Sequence, residues 1–312
     1  MDVLHDEVDG ERDGEIIGML PRQAFLTLGG SAALSLLPRR TKAQPRLSLA
    51  YLDGLPGHIA VHARTMGDGP PIVAYHDGEP YPTASTIKVL IMATAFRAID
   101  SGTILRTTPV RINAWDLVGG SERFESARPG SKFPLLTLID AMIRQSDNTA
   151  ANSLISHFGF PAINATAVAA GMTATRLRRH FLDWAAIVKH NENISTARDM
   201  GALLYEIERG SREGIDAIAK SSSCRKMIEI MLGQEDRDKI PAGLPPGTQV
   251  ANKTGELTGV RSDVAIVEPF GDTPYVLVVM TKELRDYSAG IAAIRRIAHD
   301  VNRTITTSAA FS

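Results

Sequence analysis

An almost unbroken apolar run, Val89-Leu90-Ile91-Met92-Ala93, lies within residues 85–99 and is closed by Ser101-Gly102. Apolar on every side, it predicts a buried helix. Residues 57–75 alternate weakly between apolar and polar around Gly67-Asp68-Gly69-Pro70, which predicts a hairpin. Helical spacing recurs over 135–144, 149–158, 161–170 and 196–208, with glycines closing several of these segments (Gly159, Gly171, Gly210). After 241–247 the pattern becomes β-rich at 249–254, 260–267 and 275–281, and 289–302 predicts a last amphipathic helix. Strands, helices, strands, helix is the order expected of an α+β fold: an antiparallel sheet flanked by helices, with an all-helical domain inserted. The domains expected are a discontinuous α/β unit, 44–76 with 226–306, and a helical unit, 77–225.

The first residues do not fit this pattern. Residues 1–17 hold seven acids and one base, Arg12. From Met19 the character changes to Arg22, an apolar stretch over 24–37, then Thr41-Lys42-Ala43. A basic start, a short apolar run and small residues before a cleavage point describe a secretory signal peptide over 19–43. Met19 is then the expected start, 1–18 a leader outside the fold, and the mature protein exported, periplasmic or secreted. Pro21-Arg22-Gln23 is similar to a twin-arginine signal lacking its second arginine, which leaves the route open. Arg39, Arg40 and Lys42 after the apolar run count against export.

Composition narrows the classes. The chain has 312 residues, 44% hydrophobic and 22% charged, with 34 Lys+Arg against 35 Asp+Glu. That balance argues against a broad electrostatic surface for nucleic acid or anionic membrane. The one cysteine, Cys224, excludes an intrachain disulfide and a Cys-cluster metal site. No apolar run reaches the roughly 18 residues of a membrane span. His58 and His62, roughly 13 Å apart on a strand, are too distant to share a metal. No metal or nucleotide motif is present, so no cofactor is implied, and a monomer is expected.

Three short motifs carry chemistry. In Ser85-Thr-Ile-Lys88, helical spacing puts a hydroxyl and an amine on one face. A serine hydroxyl is a poor nucleophile until a neighbour takes its proton, and a desolvated lysine can do so. A helix start also offers N–H groups to a developing negative charge. The tetrapeptide alone is weak evidence, since Ser223-Cys-Arg-Lys226 matches it too. Ser146-Asp147-Asn148 reads by itself as a helix cap. Lys253-Thr254-Gly255 reads by itself as a strand end; glycine there would let a substrate approach the backbone.

In order and at these spacings the three motifs resemble the class A β-lactamases and the related penicillin-binding proteins. The resemblance covers roughly residues 46–306, including Tyr81-Pro-Thr-Ala-Ser85, the asparagine-rich 146–152 stretch and Thr175-Arg176-Leu177. It implies a small-molecule β-lactam or related acyl substrate, with Ser85 the nucleophile and Lys88 its proton acceptor or electrostatic partner. Ser146 would pass a proton to the leaving nitrogen, and Asn148 would contact the substrate's side-chain amide. Lys253 and Thr254, beside Gly255, would bind a carboxylate. The backbone N–H groups of Ser85 and Glu256 would form the oxyanion hole, and Arg261 would be an extra carboxylate-binding cation.

The sequence departs from the family in one loop. The family pattern T-R-L-D-R-W-E-x-E-L-N supplies a glutamate that activates the deacylating water. Here the stretch is Thr175-Arg-Leu-Arg-Arg-His-Phe-Leu-Asp-Trp-Ala185, with Phe181 in the glutamate's place. Arg179 matches the loop-closing arginine, but Asn193 stands where its acidic partner is usual. The loop is therefore expected to lack both its base and its salt bridge. Asp183 is the nearest substitute carboxylate, with His180, Glu192 and Glu256 as other candidates. Three outcomes follow: a β-lactam hydrolase with slow deacylation, an esterase or peptidase-like hydrolase on the same fold, or a non-turnover binder of β-lactams or cell-wall fragments.

Overall fold

The computed structural model describes residues 47–120, 123–213 and 218–309. The leader and signal peptide expected over 1–18 and 19–43 lie outside the described residues. In chain order the elements are β1 (His58–Thr65), β2 (Val73–Tyr75), β3 (Tyr81–Pro82), α1 (Lys88–Asp100), β4 (Pro109–Arg111) and β5 (Lys132–Pro134). There follow α2 (Leu135–Arg144), α3 (Asn148–Ala169), α4 (Trp184–Val188), β6 (Ile194–Ser195), α5 (Ala197–Glu213) and α6 (Ser221–Leu232). Last come β7 (Val250–Leu257), β8 (Val260–Val267), β9 (Tyr275–Lys282) and α7 (Tyr287–Ala309).

The main sheet has the order β2-β1-β9-β8-β7, antiparallel throughout. Both faces are covered, and this explains the unbroken apolar run of β9. Val276, Val278 and Met280 join a core with α1, α2, α3, α5 and α6, while Leu277 and Val279 join a second core with Ile294, Ile297, Ala298 and Val301 of α7. Successive strand side chains point to opposite faces, so a strand buried twice shows no alternation. Each such side chain, fully buried, contributes roughly 1.5–3 kcal/mol.

The hairpin, α1 and the strands match the hydrophobic pattern. The segments expected at 149–158 and 161–170 are the two arms of α3, which kinks at Gly159 (φ 78°, ψ 151°) just before Pro161. The domain boundary expected at 225/226 falls inside α6, because the Ser-rich start of that helix disguises an apolar face of Cys224, Met227, Ile228 and Met231. No helix of the described residues is long and apolar enough to cross a membrane.

One contact positions the candidate nucleophile. The 3₁₀ turn Ala84–Ile87, which leads into α1, packs on β7. At Gly255 a Cβ would lie 2.9 Å from the Thr83 carbonyl oxygen, 2.9 Å from Thr86 Cγ2 and 3.2 Å from Ala84 Cβ. The glycine expected to admit substrate also admits this turn. Gly255→Ala must push turn and strand apart, at a cost of about 1–3 kcal/mol. Thermal denaturation should show the lowered Tm, and labelling of Ser85 by an acylating probe should slow in the same variant.

Candidate active site

A cleft of about 450 Å³ opens between the helical layer and β7, lined by Ser85, Gly120, Arg144, Gln145, Ser146, Asn148, Gln234, Glu235, Asp236, Thr254 and Glu256. The three motifs, distant in sequence, meet here. Ser85 belongs to the 3₁₀ turn, Ser146 and Asn148 to the start of α3, and Thr254 to β7, an edge strand of the sheet. An edge strand presents a row of backbone groups that no neighbouring strand pairs.

Of the non-glycine residues held in the left-handed region, two belong to the motif segments: Ala84 at φ 46° and Ser146 at φ 59°. Each such position costs on the order of 1–3 kcal/mol unless its surroundings impose it. At Ala84 the imposed contact is the packing on Gly255. Beside Ser146, Asp147 caps α3 by accepting from Ala150 N at 2.7 Å and ties in Phe124 N at 3.1 Å.

Lys88 has no exposed surface. Its Nζ donates to the Ser146 carbonyl oxygen at 2.6 Å, to Asn148 Oδ1 at 2.8 Å and to Ser146 Oγ at 3.3 Å. Burial pushes its pKa well down, and the nearby Lys253 charge adds to that. Asn148 is thereby engaged on both ends, since its Nδ2 donates to the Gly119 and Gly120 carbonyl oxygens at 3.3 and 3.2 Å. Lys253 is also fully buried and held down to about pH 7 by desolvation. It donates to Ser146 Oγ at 3.1 Å and to its own neighbour's carbonyl, Thr254 O, at 2.9 Å. One hydroxyl, Ser146 Oγ, thus stands between two lysine amines.

Phe181 covers this cluster. It is 7% exposed, and Lys88 Nζ lies 4.4 Å from its ring centroid. Asn152 fixes it by accepting from Phe181 N at 2.7 Å and donating to Phe181 O at 3.2 Å. An aromatic face can stabilise an ammonium, but it cannot take a proton from water.

The loop around Phe181 is closed differently from expectation. Arg179 pairs with Glu192, so a salt bridge is present after all, made by the acid adjacent to Asn193. Asn193 clamps the same turn, its Oδ1 accepting from Arg178 N at 2.7 Å and Arg179 N at 3.1 Å. This engages Glu192 in the loop's closure. Asp183 caps α4 by accepting from Ala186 N at 3.0 Å and is not among the residues lining the cleft. His180 lies against Ser156 and Phe160. Arg261 is drawn to the end of the β7–β8 hairpin, donating to Leu257 O at 3.0 Å and Val260 O at 2.7 Å, with its guanidinium 3.9 Å from the Tyr287 ring centroid. It too is absent from the cleft lining.

Sequence reasoning missed the buried ion network under the cleft floor. Lys239, 1% exposed, pairs with Asp236 at 2.6 Å and Glu256 at 2.8 Å. Asp263, pushed up to about 6 by burial, accepts from Asn252 Nδ2 at 3.0 Å and Ile240 N at 3.0 Å. Among the described residues no cluster of His, Cys, Asp and Glu could hold a metal ion.

A buried amine whose pKa is lowered can accept a proton near neutrality. As pH falls it takes that proton up and loses the ability, so acylation of Ser85 should decline on the acid side. Lys88→Arg, permanently charged, should lower the acylation rate by roughly 10²–10⁴-fold. Time-resolved intact-mass measurement against pH checks both expectations.

The beta-lactamase enzyme family matches residues 46–305. The carbapenem-hydrolysing β-lactamase KPC of Klebsiella oxytoca is 30% identical over 251 residues, covering 78% of this chain and 83% of that protein. The crystal structure of a β-lactamase from Sphaerobacter thermophilus aligns with TM-score 0.72 at 27% identity, over 83% of this chain and 95% of the other. The structure of PBP-A shares the fold, with TM-score 0.74 at 24% identity over 83% and 94% of the two chains.

Proposed function

The chain belongs to the beta-lactamase enzyme family and is a serine hydrolase of its class A, and we propose that it opens β-lactams through an acyl-enzyme on Ser85 that is hydrolysed slowly. The observation that carries the second half is Phe181 against Lys88.

In this reading Lys88 accepts the Ser85 Oγ proton as Oγ bonds to the carbonyl carbon. The developing oxyanion is held by the backbone N–H groups of Ser85 and Glu256, a device worth roughly 3–4 kcal/mol per donor. The carbon–nitrogen bond then breaks, and Ser146 passes a proton to the leaving nitrogen. The hydroxyl's position between Lys88 and Lys253 supports that role, since either amine can resupply it. Asn148, Thr254 and Gly255 orient the substrate along the β7 edge.

Deacylation is the step left without a dedicated carboxylate. Water must lose a proton to attack the ester, and a positioned base contributes about 10²–10⁴-fold. With Phe181 over Lys88, Asp183 capping α4 and Glu192 paired to Arg179, the acyl-enzyme outlives the acylation step. The signal-like 19–43 segment supports an exported location, periplasmic or secreted.

Intact-mass spectrometry of the protein mixed with a penicillin tests this. An adduct on Ser85 that persists for hours, absent in Ser85→Ala, is the expected result. Rapid substrate loss with no adduct would overturn slow deacylation. Phe181→Glu should shorten the adduct's lifetime at least about tenfold, whereas Phe181→Gln should not. The glutamate should also raise the Lys88 pKa and shift the acid limb of acylation to higher pH.

A further inference from the structure

The near-balance of charge over the whole chain hides a local excess. Residues 105–134 carry Arg106, Arg111, Arg123, Arg128 and Lys132 against Asp116, Glu122 and Glu125. Glu122 lies outside the described residues. Asp116 is buried and accepts from Asn113 N at 2.8 Å and from Ser156 Oγ at 2.6 Å. Glu125 reaches toward the rim of the catalytic cleft, its Oε1 4.0 Å from where a Cβ on Gly119 would lie.

The fold gathers four of these cations on one surface. β4 and β5 form a two-stranded ribbon with Arg111 directly opposite Lys132 and Pro109 opposite Pro134. Side chains two apart on a strand share a face, so these four stand together. All four are exposed, while Val110 is buried and Phe133 packs on the core. Pro134 also lines a second cavity, of about 360 Å³, with Arg106, Arg123, Thr137 and Asp140. Ribbon and cavity are therefore continuous, Lys132 standing two residues, roughly 7 Å, along β5 from Pro134.

Like charges directly opposite one another destabilise a strand pair, and Arg111 and Lys132 are such a pair. Among the described residues Arg106, Arg111, Arg123 and Lys132 make no ion pair and no side-chain hydrogen bond. The Asp140 carboxylate beside the cavity is already matched by Arg144 at 2.8 Å. The Arg123 guanidinium lies 5.6 Å from the Phe124 ring centroid, a contact that leaves its charge in place. A guanidinium presents paired N–H groups that match two oxygens of one phosphate. Cations spread along a ribbon and into a cavity suit a chain of repeated charges better than a single ion.

We propose that the β4–β5 ribbon and the adjoining cavity bind a linear polymer of phosphates, held by Arg106 and Arg123 in the cavity and by Arg111 and Lys132 along the ribbon. The ribbon's own ring, Phe133, faces the core, so this surface reads charge and not bases. The proposal does not depend on the acyl-enzyme at Ser85, since none of the four cations lines the catalytic cleft.

Fluorescence anisotropy of a labelled linear polyphosphate, titrated with the full chain, tests it. Binding is expected at about 50 mM salt, and Kd should weaken at least about tenfold by about 200 mM, because each phosphate contact releases a counterion. Arg106→Gln with Arg123→Gln, and separately Arg111→Gln with Lys132→Gln, should each weaken binding at least about tenfold at the lower salt. Polyphosphate should raise the Tm of the wild type and not that of either double variant. Labelling of Ser85 by a penicillin should be the same in all three proteins. Circular dichroism verifies folding, and if one double variant fails to fold the other decides. No binding to the wild type at about 50 mM salt, or equal binding by the folded variants, overturns the proposal. So does binding of inorganic phosphate as tight as that of the polymer. An oligonucleotide of equal phosphate count that binds more than about tenfold tighter would show that bases are read, and overturns it. Binding of phosphatidylglycerol vesicles but not of the soluble chain would assign the surface to a lipid face and overturns it as well.

Discussion

A lysine amine with no access to water is the constraint on which the site depends. A buried ammonium or amine must find partners within the protein or bear a large desolvation cost. Lys88 finds them in the Ser146 carbonyl and Asn148 Oδ1, so the start of α3 is fastened to the start of α1. The same burial lowers its pKa and fits it to receive a proton from the serine one turn earlier. Packing and reactivity are here one property. Phe181 completes the enclosure, its ring centroid 4.4 Å from Lys88 Nζ.

Much of this was legible in the sequence, because the motifs are local. Ser85 and Lys88 share a turn, Ser146 and Asn148 share a helix start, and Lys253 to Gly255 share a strand. Their order and spacing implied one cleft, and Ser85, Ser146, Asn148 and Thr254 line one. The apolar run of 85–99 and the three β-rich segments gave the helix and strands, because burial on both faces leaves an unmistakable composition. What was not legible depends on chain segments brought together by the fold. Lys239 sits in an ordinary charged stretch, Asp236-Arg-Asp-Lys239, and only its approach to Glu256 makes it a buried ion. The Arg179–Glu192 pair was hidden because the acid lies one position before the residue aligned with the usual partner. At Gly255 the sequence did not show a second constraint, the room the glycine leaves for the protein's own turn.

Three lysines and three acids therefore surround the cleft without forming a simple cationic socket. Lys88 and Lys253 both donate to the Ser146 hydroxyl, and the Lys253 charge favours loss of the Lys88 proton. Lys239 is spent on Asp236 and Glu256. The two groups are coupled, because the charges of Asp236, Lys239 and Glu256 all act on Lys253.

The left-handed backbone at Ala84 has an evolutionary consequence. The residue before the nucleophile is kept in a conformation that alanine disfavours, by a contact that only glycine on the facing strand allows. A relaxed backbone there would make a sturdier fold and a less well aimed serine. Lineages selected for thermal endurance should accumulate their stabilising changes elsewhere, in the α7 core or the outer loops, and leave this pair of small residues untouched.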